Sequence, residues 1–201
     1  MPLAPWRSPL SRALHRNRSL VYSRYVQLAT VQLDGRPANR TVVFRGFLDD
    51  SNQLKFITDS RSEKVPQIQA NPWGEVCWYF PKTREQFRLL GPLTLVTDAV
   101  AEESLAKARH RQWTELSDAA RLQFAWPPSK QERLMQSDTP EETLNNLFSP
   151  PPPDPIIPLP NFLLLLLAPT QVDHLELRGD PQNRRLYLQS ESEWQVQEVN
   201  P

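Results

Sequence analysis

Phe56 to Lys64 read FITDSRSEK, a run in which an apolar strand pattern breaks into hydroxyls and charges. Thr58, Ser60 and Ser62 offer O–H donors, and Arg61 and Lys64 offer cations. The following SEKVPQIQAN predicts a short helix capped at Ser60 or Ser62, with Pro66 held to an early position. A strand-to-helix turn leaves backbone N–H groups unpartnered, and the helix dipole adds positive potential there. Positive charge, several donors and a helix start together suit a phosphate monoester. The competing account is plain: serine caps a helix and lysine faces water. Local chemistry leaves both open.

The neighbouring segments favour a ligand. Arg40 and Arg45 bracket the apolar centre of NRTVVFR, and Gln86 and Arg88 share one face of EQFR by period-two alternation. A flat aromatic ring bearing a phosphate would use such parts. Apolar side chains and backbone support the ring, amides read its polar edge, and cations hold the phosphate and stabilise a reduced ring. Other chemistries lack their residues. His15, His110 and His174 have no metal-type spacing, so no metal site is expected. There is no phosphate loop, no dinucleotide glycine fingerprint and no serine-hydrolase elbow. No side chain stands out as an acid–base catalyst, so catalytic residues are unassigned. Trp78 and Trp126 could stack on a ring, with core packing as the default role.

These residues need a scaffold. The chain has 201 residues, and its 23 basic and 23 acidic side chains cancel. Neutral charge and the lack of a basic aromatic face argue against nucleic acid as partner, including a small barrel binding single strands. The one cysteine, Cys77, excludes an internal disulfide and reads as a buried, inert thiol in a reducing, cytoplasmic setting. The longest apolar run, Phe162 to Ala168, is too short to span a bilayer and predicts a strand buried on both faces, so no membrane partner is expected. The arginine-rich start resembles an organellar transit segment, but SPLSRALHRN reads better as a helix with Ser8 as cap.

Strands are expected at YVQLATVQL, ANRTVVFRGFL, QLKFIT, GEVCWYF and EQFRLLGPLTLVTD, the last broken at Gly91-Pro92. Five consecutive antiparallel strands suggest a barrel closing its own edges. Helical patterns follow from AEESLAKARHRQWTELSDAARLQFAW to ETLNNLF, broken at Pro127-Pro128 and Pro140. A proline-rich spacer precedes four more strands. The expected organisation is a single domain over 1–201, with a helical extension at 1–24, a helical and proline-rich insert at 100–160, and C-terminal strands at 161–201.

The ordered set RTVVFR, FITDSRSEK, NPWGEVCWYFP, QFRLLGPL, PPSKQ and LELRGDPQNRRLYL…EWQVQEVNP resembles the pyridoxamine 5′-phosphate oxidase family, in its divergent oxidase-related FMN-binding branch. The resemblance runs from about Tyr25 to Pro201 and rests on motif order and spacing. It implies a mainly β fold with α inserts (α+β), an antiparallel FMN-binding split β-barrel that forms a homodimer with FMN at the subunit interface. Arg40, Thr41, Val42, Val43 and Arg45 match the strand lining the flavin, and Ile57 and Thr58 match the flavin-contacting pair. Ser62 and Lys64 match the phosphate site. Glu63 stands where the family has arginine, and Arg61 is the candidate to replace that cation. Gln86 matches the glutamine that reaches the flavin from the partner subunit. Gln131 and one of Arg184 and Arg185, with Arg185 the candidate, complete the cofactor set.

The departures lie on the substrate side. Arg45 takes a lysine position, and Trp113, Ser117 and Arg121 fall at the tyrosine, arginine and serine positions, so Arg45, Trp113 and Arg121 are weak substrate candidates. Leu177 falls where the family has a tryptophan. The resemblance therefore implies an FMN oxidoreductase moving hydride from a small molecule, such as a B6 vitamer phosphate, to FMN with dioxygen as acceptor. The alternatives are an FMN-dependent reductase with another substrate, or a flavin-binding protein without catalysis.

Overall fold

A computed structural model describes residues 2–132, 148–191 and 193–201. Apolar alternation produces its strands. In β1 (Tyr25–Val31), Val26, Leu28 and Thr30 face inward, and in β4 (Trp73–Phe80), Val76, Trp78 and Phe80 do the same. β2 (Pro37–Val43) pairs with β1 through the expected hairpin, whose turn uses the positive φ of Gly35. β3 (Leu54–Asp59) buries Leu54 and Phe56, and β5 (Glu85–Val96) buries Phe87 and Leu89. β6 (Phe162–Leu167) is buried at all six positions, as its unbroken apolar run predicts. β7 (Gln171–Glu176), β8 (Asn183–Ser190) and β9 (Glu193–Val199) follow.

The chain forms two compact units. One comprises Met1–Ile57, Pro66–Thr94 and Leu165–Pro201; the other comprises Thr58–Val65 and Leu95–Leu164. The strand order is β2-β1-β4-β5-β7-β8-β9, with β3 paired to β6 and β6 also paired to β5. This is the split-barrel pattern. The sheet does not close, because β2 and β9 end the path. The expected run of five consecutive neighbours is also corrected: β3 pairs with neither β2 nor β4. Between β3 and β5, β6 has a strand partner on each edge, and its side chains are buried on both faces.

In the first unit, α1 (Arg7–Asn17) buries Leu10 and Ala13, one apolar stripe continuous with Trp6 before it. Trp6 holds the cap position and no side chain caps the helix, so Ser8 sits inside the first turn rather than at its cap. A short 3-10 helix, Val21–Arg24, leads into β1. Trp78 is fully buried, with its ring 4.8 Å from Phe44, and its Nε1 donates to Ser23 O (2.9 Å). It is a core residue. β5 runs through Gly91-Pro92 unbroken. A Cβ on Gly91 would lie 2.0 Å from Ala168 O, so glycine here admits a neighbouring backbone. Cys77 is half-buried rather than buried, and burial pushes its thiol up, so it is unreactive all the same.

In the second unit, Trp113 of α3 (Glu103–Thr114) and Phe124 of α4 (Asp118–Ala125) form an aromatic cluster with Phe162 of β6, with ring centroids 5.0 to 5.8 Å apart. Ser117 caps α4, accepting from Ala120 N (3.3 Å). The proline-rich segment 149–160 has no helix or strand. The expected helical residues 142–147 and the break at Pro140 lie outside the described residues. No described helix is long and apolar enough to cross a membrane.

Candidate functional site

β3 ends at Asp59, and α2 (Lys64–Ala70) begins five residues later, so residues 60–63 form a tight connection. Lys64 Nζ donates to Thr58 Oγ1 (2.9 Å) and to Ser62 Oγ (2.8 Å). Thr58 is buried at the end of its strand. Each hydroxyl accepts from the ammonium through an oxygen lone pair and keeps an O–H of its own, which at Thr58 makes a long contact to Asp59 O (3.4 Å). Two hydroxyl donors beside one ammonium are what a phosphate oxygen cluster requires. α2 spans only seven residues, so the positive potential comes from the ammonium more than from a helix dipole. Of the two expected serine caps, Ser62 accepts from Lys64 Nζ through Oγ and from Val65 N through its carbonyl (2.9 Å).

Arg61 departs from its expected role. Its Nε and Nη2 donate to Asp59 (2.9 and 2.6 Å), its Nη2 to Phe124 O (3.0 Å), and its Nη1 to Trp126 O (2.9 Å). Asn161 Nδ2 donates to both Asp59 Oδ2 (2.7 Å) and Phe124 O (2.8 Å), and Asn161 O accepts from Ser60 N (2.8 Å). Burial pushes the Asp59 carboxyl up, but hydrogen bonds from Arg61 and Asn161 outweigh it and hold it below the usual carboxylate range. Arg61 is thus a clamp between the loop and the end of α4. Glu63, at the position of the family arginine, is ion-paired with Lys130. Lys64 remains as the cation beside the hydroxyls.

In the first unit, Arg40 Nη1 donates to Thr30 Oγ1 (2.6 Å) and Leu28 O (3.2 Å), and Nη2 to Gln67 Oε1 (3.0 Å). Thr30 Oγ1 also donates to Gln67 Oε1 (2.6 Å), so the guanidinium is fixed by a buried amide and hydroxyl. Thr41 is exposed, and Val42 and Val43 are half-buried, on an end strand whose outer backbone edge has no strand partner. Ile57 is half-buried. Arg45 is half-buried with its Nε enclosed and unpartnered; burial and the nearby Arg24 lower its pKa.

Gln86 and Arg88 share a face of β5, as the alternation predicts. Arg88 pairs with Glu75 and lies 3.9 Å from Asp173. Arg184 forks onto Asp173 (2.9 and 2.6 Å), while Arg185 meets Glu198 (3.3 Å) and Glu176 (3.8 Å). Both arginines are therefore carboxylate-bound. Gln131 is exposed.

The substrate-side candidates turn inward. Trp113 is fully buried and its Nε1 donates to Asp154 O (2.9 Å). Arg121 is buried, donates to Leu116 O (2.5 Å) and pairs with Asp118, and Ser117 is the α4 cap. Asp59, Asn161, Thr30 and Gln67 escape the sequence reading. Asp59 alone carried a local signal: an aspartate two residues before Arg61, accepting the Arg61 N–H (2.8 Å) in an Asx turn.

A family model described as "Pyridoxamine 5′-phosphate oxidase, FMN-binding domain" matches residues 3–97. Pyridoxine/pyridoxamine 5′-phosphate oxidase 2 of Arabidopsis thaliana is 36% identical over 205 aligned residues, covering 99% of this chain and 98% of its own length. A solved pyridoxamine 5′-phosphate oxidase-related, FMN binding protein from Nostoc punctiforme is 60% identical, covers both chains fully and superposes with a TM-score of 0.92. PhzG from Burkholderia lata, at 20% identity and a TM-score of 0.78, shares the fold. The ammonium and paired hydroxyls at Lys64, Ser62 and Thr58 suit the phosphate of the family's cofactor. This chain belongs to the pyridoxamine 5′-phosphate oxidase family, with FMN as its cofactor.

Proposed function

We propose that the protein is an FMN-dependent oxidoreductase of the pyridoxine/pyridoxamine 5′-phosphate oxidase kind, acting as a cytoplasmic homodimer. The observation that carries this reading is the gathering of the Thr58 and Ser62 hydroxyls around Lys64. Bound FMN would supply a hydride acceptor, with dioxygen as the final oxidant. Lys64, Ser62 and Thr58 hold the cofactor phosphate. The main chain of Thr41, Val42 and Val43 supports the ring, with Arg40 setting the position of that strand's side chains and Ile57 adding apolar contact. Gln86 reads the ring edge. Arg45 neutralises an anion, either on the substrate or on the reduced ring, and its enclosed unpaired Nε fits that task.

A second reading, an FMN-dependent reductase of a different substrate, is favoured by one observation. Trp113 and Arg121 stand at substrate positions of the family pattern yet bond the protein's own interior. Anaerobic addition of pyridoxamine 5′-phosphate to the FMN-loaded protein separates the two. Bleaching of the flavin bands is expected. Bands that persist with this compound but bleach with a nicotinamide would transfer the assignment to the reductase.

A further inference from the structure

We infer that Glu85, His174 and Glu176 form a divalent transition-metal site, with one imidazole nitrogen and two carboxylates as ligands. β5 and β7 pair antiparallel with Glu85 directly opposite Glu176 and Phe87 opposite His174. Like charges facing each other across a ladder destabilise it unless something neutralises them. His174 is 2% exposed, and its ring lies flat on Phe87, 4.0 Å between centroids with planes 11° apart. Its Nε2 is 2.9 Å from Glu85 Oε2, and ligand atoms of the three residues lie within 4.8 Å of one another. His174 Nδ1 is buried without a hydrogen-bond partner, so the polar contact of this ring is made on the carboxylate side.

Glu176 shares its cation with a second carboxylate. Arg185 lies 3.8 Å from Glu176 and 3.3 Å from Glu198, and so serves two carboxylates. Glu85 is in hydrogen-bond contact with His174 and Thr83, and Arg16 acts on it electrostatically. A divalent ion would meet both glutamates and replace the proton between His174 and Glu85. One nitrogen and two oxygens suit zinc, cobalt or manganese, with water completing the shell. The Nδ1–H would lack an outer acceptor, which weakens such sites by about 10–100-fold.

The side chains leave β5 on the face opposite Gln86 and Arg88, so occupancy here and FMN binding are separable. The role is a cross-strand link between β5 and β7. The test uses FMN-loaded full-length protein, stripped with chelator and dialysed against zinc, cobalt or manganese chloride. Stoichiometric uptake of one of these ions is expected, with cobalt giving absorption beyond the flavin bands. Glu176→Gln, at a half-buried position that tolerates the isostere, should weaken uptake at least about tenfold. His174→Gln should abolish it, with FMN content unchanged in both variants. Absence of stoichiometric uptake, or equal uptake by both variants, overturns the proposal.

Discussion

The loop at 58–64 and the helical segment at 103–125 carry similar polar side chains and turn them in opposite directions. In the helical segment, Arg109 donates to Phe162 O (3.0 and 2.8 Å) and Arg121 to Leu116 O (2.5 Å). In the loop, Lys64 donates to two hydroxyls. A carbonyl bonded to arginine has no proton to pass on, so the contact ends there. A hydroxyl that accepts from lysine keeps its own O–H, and at Thr58 that O–H makes only a long contact to Asp59 O (3.4 Å), which a stronger acceptor would displace. The planar guanidinium suits the first arrangement and the compact ammonium suits the second. Arg61 lies within the loop but belongs by its partners with the first kind.

Substitutions can break or sharpen this contrast. Trp113→Ala should cost the most, about 3–5 kcal/mol in urea denaturation, because it empties a fully buried aromatic site. Loss of turnover at unchanged stability would instead make Trp113 a substrate residue and erase the contrast. Lys64→Ala should weaken FMN by about 2 kcal/mol, the scale of a hydrogen bond to a charged group, while leaving riboflavin affinity nearly unchanged. Equal loss of both ligands would remove the phosphate role. Arg61→Ala should reduce FMN and riboflavin affinity together, by about tenfold or less, since a clamp acts through loop order. A selective loss of FMN would return Arg61 to the phosphate.

Asp59 adds a pH signature. Its carboxyl is held below the ordinary range, so its stabilising effect is present above the unfolded value of about 3.9 and fades as pH falls through the folded one. Asp59→Asn should flatten that acid limb in a pH series of thermal melts; an unchanged limb would show that the clamp is not what acid breaks. The smallest effect is expected at Cys77. With its thiol pushed up by burial, it should react with a disulfide reagent at neutral pH more slowly than a free cysteine does, and rates equal to free cysteine would contradict its burial.

How much could be read in advance follows from how local each cause is. Alternation in YVQLATV and the unbroken apolar run of β6 are local, and both elements appear as expected. Lys64, Thr58 and Ser62 lie within seven residues, so their grouping was also legible. The direction of Arg61 was not, because its acceptors are main-chain oxygens 63 and 65 residues away that have no side-chain identity. Gly91-Pro92 read as a break by residue type, although the glycine is there to admit Ala168. Trp113 and Arg121 aligned to family positions, but alignment does not report which way a helix faces. Barrel closure failed for a similar reason: strand count does not tell which strand pairs with β3.

The pairing of β3 with β6 has a consequence for the order of synthesis. The residues matching the FMN-binding domain end at 97, whereas β6 begins at Phe162. On the ribosome, β3 therefore emerges long before the strand it pairs with, and its first partner can be a chaperone or another nascent chain. Contacts so distant in sequence also slow folding. The matched segment therefore lacks the strand that β3 pairs with, and that pairing waits for residues translated later.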